Sequence, residues 1–252
     1  ATANGQIYLV YVDGSSGNER ILLSRANEGT LTFATNPVEA MSVQPSVDVR
    51  NNQWSPSVAA SGNEVAVAWV DFRNDNWDVV LARSTDMGNV FAPPVRLDDG
   101  SLALERLNDD AAAMFLPNVT PLTLAVGWSD VRQRNRHSSA RMSLVAGSVI
   151  GQSRAFGVPN TSSTRPQLAP LGLTRVAVVW QDDRTLGQDI YVAKSIDGGV
   201  TFGPEQRLDD GGNGASYQTA PVVAGDGQGT IAVAWEDTRS GGRRIRFVVG
   251  MP

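Results

Sequence analysis

Apolar and polar residues alternate along this chain in short runs, and one run recurs. It reads "YLVYVDGS" at 8–15, "VAVAWVDFR" at 65–73, "LAVGWSDVR" at 124–132, "VAVVWQDDR" at 176–184 and "IAVAWEDTR" at 231–239. The shared aspartate falls at Asp13, Asp71, Asp130, Asp182 and Asp237, 52 to 59 residues apart. The runs are short, rich in Val and bounded by Gly, Asn, Asp and Pro, which predicts strands. No apolar period of 3.6 residues runs long enough to predict a helix.

Around each run the other parts recur in order. A short apolar segment after or around a Pro comes first ("SPSVAA", "RPQLAP", "APVVAG"), then the run ending in Trp-x-Asp-x-Arg. A polar loop and a third strand follow ("DVVLARS" at 78–84, "DIYVAKS" at 189–195). A Gly-containing turn then leads to a fourth strand ("PPVRLD" at 93–98, "PEQRLD" at 204–209). A four-stranded unit repeated at this interval predicts an all-β protein, a β-propeller of five blades of mostly four antiparallel strands. The whole chain, 1–252, reads as one domain, with units at about 1–42, 43–100, 101–159, 160–211 and 212–252. The first unit keeps only "ATA" where a first strand is expected, and the last stops at "RIRFVVGMP" before a fourth strand. These incomplete ends leave two alternatives: a closed ring with short terminal blades, or part of a larger array in which another chain completes a blade.

The turn before the fourth strand is specific. "SIDGGVTF" at 195–202 and "STDMGNVF" at 84–91 place Ser195, Asp197, Gly199 and Phe202 in the same order as Ser84, Asp86, Gly88 and Phe91. "ANEGTLTF" at 26–33 is a decayed copy, and the third unit, "SLVAGSVI", has lost it. An Asp carboxylate accepts backbone N–H bonds across its own turn, and Gly supplies a positive φ. Phe33, Phe91 and Phe202 are then expected to anchor each hairpin in the core. These residues resemble the Asp box of the BNR-repeat, sialidase-like propellers, through nearly the whole chain. The resemblance implies an Asp-box propeller whose boxes are architectural, since enzymes and non-enzymes alike carry them. It also implies that function sits on the opposite face, on the loops between second and third strands and on those entering each first strand.

On that face the resemblance places Arg73, Arg132, Arg184 and Arg239. A ring of guanidinium groups can clamp a carboxylate through paired bonds. The alternative is that each pairs with a neighbouring Asp to pin blade to blade. The repeated Trp69, Trp128, Trp180 and Trp235 are expected between blades. The unrepeated residues are sharper candidates: Trp54 and Trp77 as a stacking surface for a sugar ring, with Asn52, Asn74 and Asp75 beside them, and Tyr217 and Arg165 on later entry loops.

Composition narrows the chemistry. The net charge is −5 and the pI about 4.9. That argues against a nucleic-acid partner, and no apolar run is long enough for a membrane span. There is no Cys and a single His, His137, so neither a thiol nucleophile nor a zinc site is expected. No cofactor or metal is expected beyond a weak Ca²⁺ option at "RLDDG" and "NDD", which offer oxygen ligands without EF-hand spacing. The sialidase-like enzymes use three Arg, a Tyr nucleophile with a Glu partner, an Asp acid/base and an Arg-Ile-Pro motif. That motif is absent here, and Tyr217 with Glu236 is the only pair that could play Tyr and Glu. The expectation is therefore a non-catalytic module, secreted or periplasmic and bacterial, with a glycan or protein ligand on the loop face. A glycoside hydrolase related to sialidases is the alternative, and a fragment of a larger propeller assembly is the third.

Overall fold

In a computed structural model of the chain, residues 1–15, 17–40, 52–73, 76–98, 106–132, 137–212, 214 and 216–250 are described, without the side chains of 106–108, 131 and 132. All regular structure among them is β. The chain divides into two compact units, Ala1–Phe115 and Leu116–Pro252.

The first unit holds β1 (Thr2–Ala3), β2 (Gln6–Asp13), β3 (Arg20–Asn27) and β4 (Val38–Glu39), hydrogen-bonded in that order. Beside them β5 (Gln53–Ser61), β6 (Glu64–Asp71), β7 (Asp78–Ser84) and β8 (Val95–Arg96) form a second sheet of the same order, and β9 (Arg106–Phe115) lies against β5 and β6. The second unit holds β10 (Thr123–Arg132), β11 (His137–Ala146), β12 (Val149–Ile150) and β13 (Arg154–Phe156), with β12 and β13 both on β11. Next come β14 (Ser163–Gly172), β15 (Arg175–Asp182), β16 (Asp189–Ser195) and β17 (Gln206–Arg207), then β18 (Gln218–Gly225), β19 (Ile231–Asp237) and β20 (Arg244–Gly250). The strand pairings among the described residues are antiparallel.

Burial explains the apolar pattern. From Val65 to Asp71 and from Val176 to Asp182 every residue is buried, because the second and fourth sheets are covered on both faces. One side of the second sheet packs Val65, Val67, Trp69, Val80 and Ala82 on Tyr8, Ile21 and Leu23. In the second unit Ala177, Val179, Ile190 and Val192 pack on Ile231, Val233 and Trp235. β19 alternates buried residues with half-buried or exposed ones, as a strand covered more fully on one face does.

Three details differ from the sequence reading. The first sheet has four strands, because Thr2 and Ala3 pair with Ile7 and Gln6, a stretch too short for an apolar pattern to show. The segments 93–98 and 204–209 contribute only two ladder residues each. The reason is that Asp98 and Asp209 turn inward, where their carboxylates accept the Val79 and Ile190 N–H groups at 3.4 and 2.9 Å. Phe33 is 37% exposed and does not anchor its turn, whereas Phe91 is buried.

The sheets are pinned to one another at bulges. Register shifts fall at the start of β5, β14 and β18, where Ser55, Arg165 and Ala220 take φ values of 49°, 54° and 53°. A bulge releases an N–H from the ladder. The Arg165 N–H then donates to Ser129 Oγ at 2.8 Å, and that of Ala220 to Gln181 Oε1 at 3.0 Å. Both acceptors are the residue between Trp and Asp in the repeated motif. In the first unit Gln53, fully buried, accepts the Ile21 N–H at 2.9 Å and donates to Asp71 Oδ2 at 3.1 Å.

Candidate functional site

In the second, fourth and fifth sheets the Asp of the Trp-x-Asp-x-Arg motif ends a core strand, and the Arg two residues on folds back over it. Asp71 accepts the backbone N–H of Arg73 at 3.0 Å, its Nε at 2.8 Å and its Nη2 at 2.5 Å, along with Trp69 Nε1 at 3.0 Å. Asp182 repeats this with Arg184 at 3.0, 2.9 and 2.7 Å and with Trp180 Nε1 at 3.2 Å. Asp237 does so with Arg239 at 2.9 and 2.7 Å. The guanidinium groups therefore grip a carboxylate of their own motif, with the two-residue step delivering backbone and side-chain donors to the same acceptor. Burial opposes the charge on Asp237, but the Arg239 bonds outweigh it and hold the pKa at about 2. Arg184 is raised in the same balance, desolvation being overcome by Asp182 and Glu205, and it lies 4.0 Å over the Tyr191 ring. The Arg132 side chain lies outside the described residues.

The two intact turns build as their residues dictate. Ser195 Oγ donates to Asp197 at 2.7 Å and accepts the Gly199 N–H at 2.8 Å, while Asp197 takes the Thr201 N–H at 2.9 Å and its hydroxyl at 2.5 Å. These bonds, led by the Thr201 hydroxyl, lower Asp197 to about 2. Ser84 and Asp86 form the same turn, with Gly88 at φ +76°, where a Cβ would meet Leu23 Cδ2 at 2.8 Å. In the third sheet a two-residue turn at Gly147–Ser148 takes its place.

Trp54 and Trp77 do come together, but on each other. Their ring centroids are 4.2 Å apart at 23°, and Phe72 closes on Trp77 at 4.9 Å. All three are half-buried. One face of each indole is thus already covered. Asn52 joins this cluster through its carbonyl, which accepts the Phe72 N–H at 3.0 Å. Asn74 and Asp75 lie outside the described residues.

A second place on the same class of loops gathers two of the sequence candidates, Arg184 and Tyr217, with residues that did not stand out in sequence. The loop entering β14, the β15–β16 loop and the loop entering β18 converge on a pocket of about 490 Å³, lined by Asn160, Thr161, Asp183, Arg184, Gln188 and Tyr217 together with Leu186 and Gly187. Tyr217 is held by its backbone: its N–H donates to Thr238 Oγ1 at 3.0 Å, and its carbonyl accepts the Thr238 N–H at 3.2 Å. Its ring is left 59% exposed. The first two loops are clasped reciprocally, Ser162 N–H to Asp183 Oδ1 at 2.6 Å and Asp183 N–H to Ser162 carbonyl at 3.0 Å. Leu186 sits at φ +72° and is 91% exposed. A branched side chain in that conformation is unfavourable, and such strain clusters at ligand sites. The pocket thus offers an exposed aromatic face, side-chain amides, a carboxylate and an apolar rim.

The remaining candidates sit elsewhere. Glu236 does not line this pocket; it pairs with Arg243 at 3.5 Å. His137 opens β11 and is half-buried. Asp189, next in the chain to the pocket residue Gln188, is buried, and burial, then Asp209, push its pKa up to about 6 although Arg207 lies 2.5 Å away. Asp78, Arg96 and Asp98 repeat that arrangement in the second sheet. Among the described residues no group of three or more His, Asp or Glu side chains is placed to hold a metal.

No family model matches the chain, and no curated protein sequence matches it. Solved structures do. A Hadza microbial sialidase is 16% identical with a TM-score of 0.51, over 99% of this chain and 64% of its own. An α-L-arabinanase of Penicillium chrysogenum, solved with arabinobiose, is 16% identical with a TM-score of 0.61, over 94% of this chain and 75% of its own. The sialidase of Trypanosoma rangeli, solved with the inhibitor DANA, is 12% identical with a TM-score of 0.59, over 99% of this chain and 47% of its own. The chain therefore spans under two thirds of either sialidase. At these identities the likeness is one of fold, and the fold it shows is the sialidase-like β-propeller.

Proposed function

We propose that this chain is a non-catalytic glycan-binding propeller of five blades, acting outside the cytoplasm, with its ligand on the Tyr217 pocket. The observation that carries the reading is a tyrosine anchored through its main chain and open to solvent, beside the amides of Asn160 and Gln188. An aromatic face takes the C–H face of a sugar ring, and amides serve its hydroxyls. The neighbouring folds whose names specify sialidase and arabinanase support a carbohydrate ligand over a protein one. The Arg184 Nε and Nη2 donors already serve Asp182 and Glu205, which favours binding through hydroxyls over clamping a carboxylate.

The test is calorimetric titration with arabino-oligosaccharides and sialosides. Tyr217→Ala should weaken binding about five- to tenfold, the scale of a lost aromatic contact, while Trp54→Ala leaves it unchanged. Loss in Trp54→Ala with Tyr217→Ala intact would move the site to the Trp54–Trp77 cluster. The second reading, a hydrolase, rests on the same neighbours. Turnover of arabinan or aryl sialosides that Tyr217→Phe abolishes would establish it and remove the non-catalytic one.

A further inference from the structure

The charge around the Tyr217 pocket is unbalanced, and its sign is negative. Arg184 is the cation of the lining, and its Nη2 is shared between Asp182 and Glu205, at 2.7 Å from each. Arg207, on Asp189 where the β15–β16 loop enters β16, is likewise shared between Asp189 at 2.5 Å and Asp209 at 2.8 Å. Each of these guanidinium groups therefore faces two carboxylates. Asp183 adds a further carboxylate and has only a neutral donor. Its Oδ1 accepts the Ser162 N–H at 2.6 Å, and its Oδ2 meets no donor among the described residues. Arg165, further along β14, stands outside the lining. The Asp183 charge is thus unmatched in a pocket that also carries the exposed Tyr217 ring. An aromatic face beside a carboxylate suits an ammonium group, since the ring quadrupole attracts a cation and the carboxylate pairs with it. An acidic sugar meets the opposite, because Asp183 repels it and the Arg184 charge is already engaged.

We infer that the ligand of this pocket is a glycan carrying a free amine, an amino sugar without its acetyl group, with its ammonium on Asp183 and its ring on Tyr217. The inference rests on the reading of the pocket as a glycan site and adds the charge of the sugar. The exposed ring and the amides supply affinity for sugars in general, and the unmatched carboxylate supplies the choice among them. Acetylation removes the ammonium and with it both the ion pair and the attraction to the ring.

The probes are β-1,4-linked tetramers of glucosamine, N-acetylglucosamine and glucose, which share a backbone and differ in one substituent. They are titrated by calorimetry at low ionic strength, below the pKa of the amine. The glucosamine tetramer should bind about fivefold more tightly than the other two, the scale of an exposed ion pair with a ring contact. Added salt should erase that difference without weakening the glucose tetramer. Asp183→Asn keeps an oxygen for the Ser162 N–H, so the clasp between the loops stays. It should cut the preference to about twofold, the share of the ring. Equal binding of all three tetramers, each weakened by Tyr217→Ala, would overturn the amine and leave the glycan site standing. An amine preference that Asp183→Asn does not change would overturn the inference by placing the ammonium elsewhere. Spermidine binding as tightly as the glucosamine tetramer would do so by making the ammonium alone the ligand. Binding of none of the tetramers would also overturn it, and the arabino-oligosaccharide titration then decides the glycan site separately.

Discussion

Gln53→Leu tests how the first two sheets are joined. Leucine fills nearly the same volume but neither accepts nor donates. The Ile21 N–H, now bonded to Gln53 Oε1 at 2.9 Å inside the core, loses its acceptor. An unmet buried donor costs about 1–3 kcal/mol. Asp71 loses the 3.1 Å bond from Gln53 Nε2 but keeps Trp69 and Arg73, so that part falls at the low end, about 1 kcal/mol. The sum is roughly 2–4 kcal/mol, a large share of the 5–15 kcal/mol of an ordinary domain. Urea unfolding read by tryptophan fluorescence gives the loss, and hydrogen exchange at the Ile21 amide localises it. Gln53→Glu adds a control with a defined sign. Its carboxylate can still accept from Ile21 but faces Asp71, so its folded pKa is raised. The penalty is then full at neutral pH and is relieved as the pH falls through that raised pKa. A Gln53→Leu variant within about 0.5 kcal/mol of the parent, with Ile21 exchange unchanged, would refute the reasoning.

Two further outcomes follow from the turns and the buried acids. Asp197→Ala should cost about 1 kcal/mol in thermal or urea melts, discounted because the carboxylate is exposed to solvent. Since its folded pKa is depressed to about 2, the difference from the parent should hold above pH 4 and close as the pH falls toward 2; a difference independent of pH would count against the turn bonds. Asp189, raised to about 6, should show a carboxyl ¹³C titration midpoint near that value, and a midpoint near 4 would mean that Arg207 dominates over burial.

The longer strands and both intact turns were legible because each rests on local signals: Val alternation, a Ser-Asp-Gly order, an aromatic at a fixed offset. The two-residue strands Thr2–Ala3 and Val149–Ile150 were not, since period-two alternation needs more than two residues to appear. The Arg residues were legible as copies but not their partners. What joins the sheets is a bulge N–H reaching Ser129 or Gln181, and a positive φ at Arg165 or Ala220 leaves no mark in the sequence. The Tyr217 pocket was half legible. Tyr217 and Arg184 stood out, but Asn160, Leu186 and Gln188 are single polar-loop residues that only the neighbouring sheets bring together.

The fork by which Arg73, Arg184 and Arg239 each grip the Asp of their own motif has a consequence for how such a chain grows. A buried carboxylate without a partner costs several kcal/mol. Had the pairing run from one sheet to the next, duplicating or deleting a repeat would strand such a charge at each new junction. The buried carboxylates of Asp71, Asp182 and Asp237 each have an Arg of their own motif as partner, and the contact that Arg239 also makes to the preceding repeat is to the exposed Asp210. A duplicated segment would arrive already neutralised, and the new junction would need only an apolar fit and a bulge. Divergence in blade number is thereby made tolerable at the level of a single gene event.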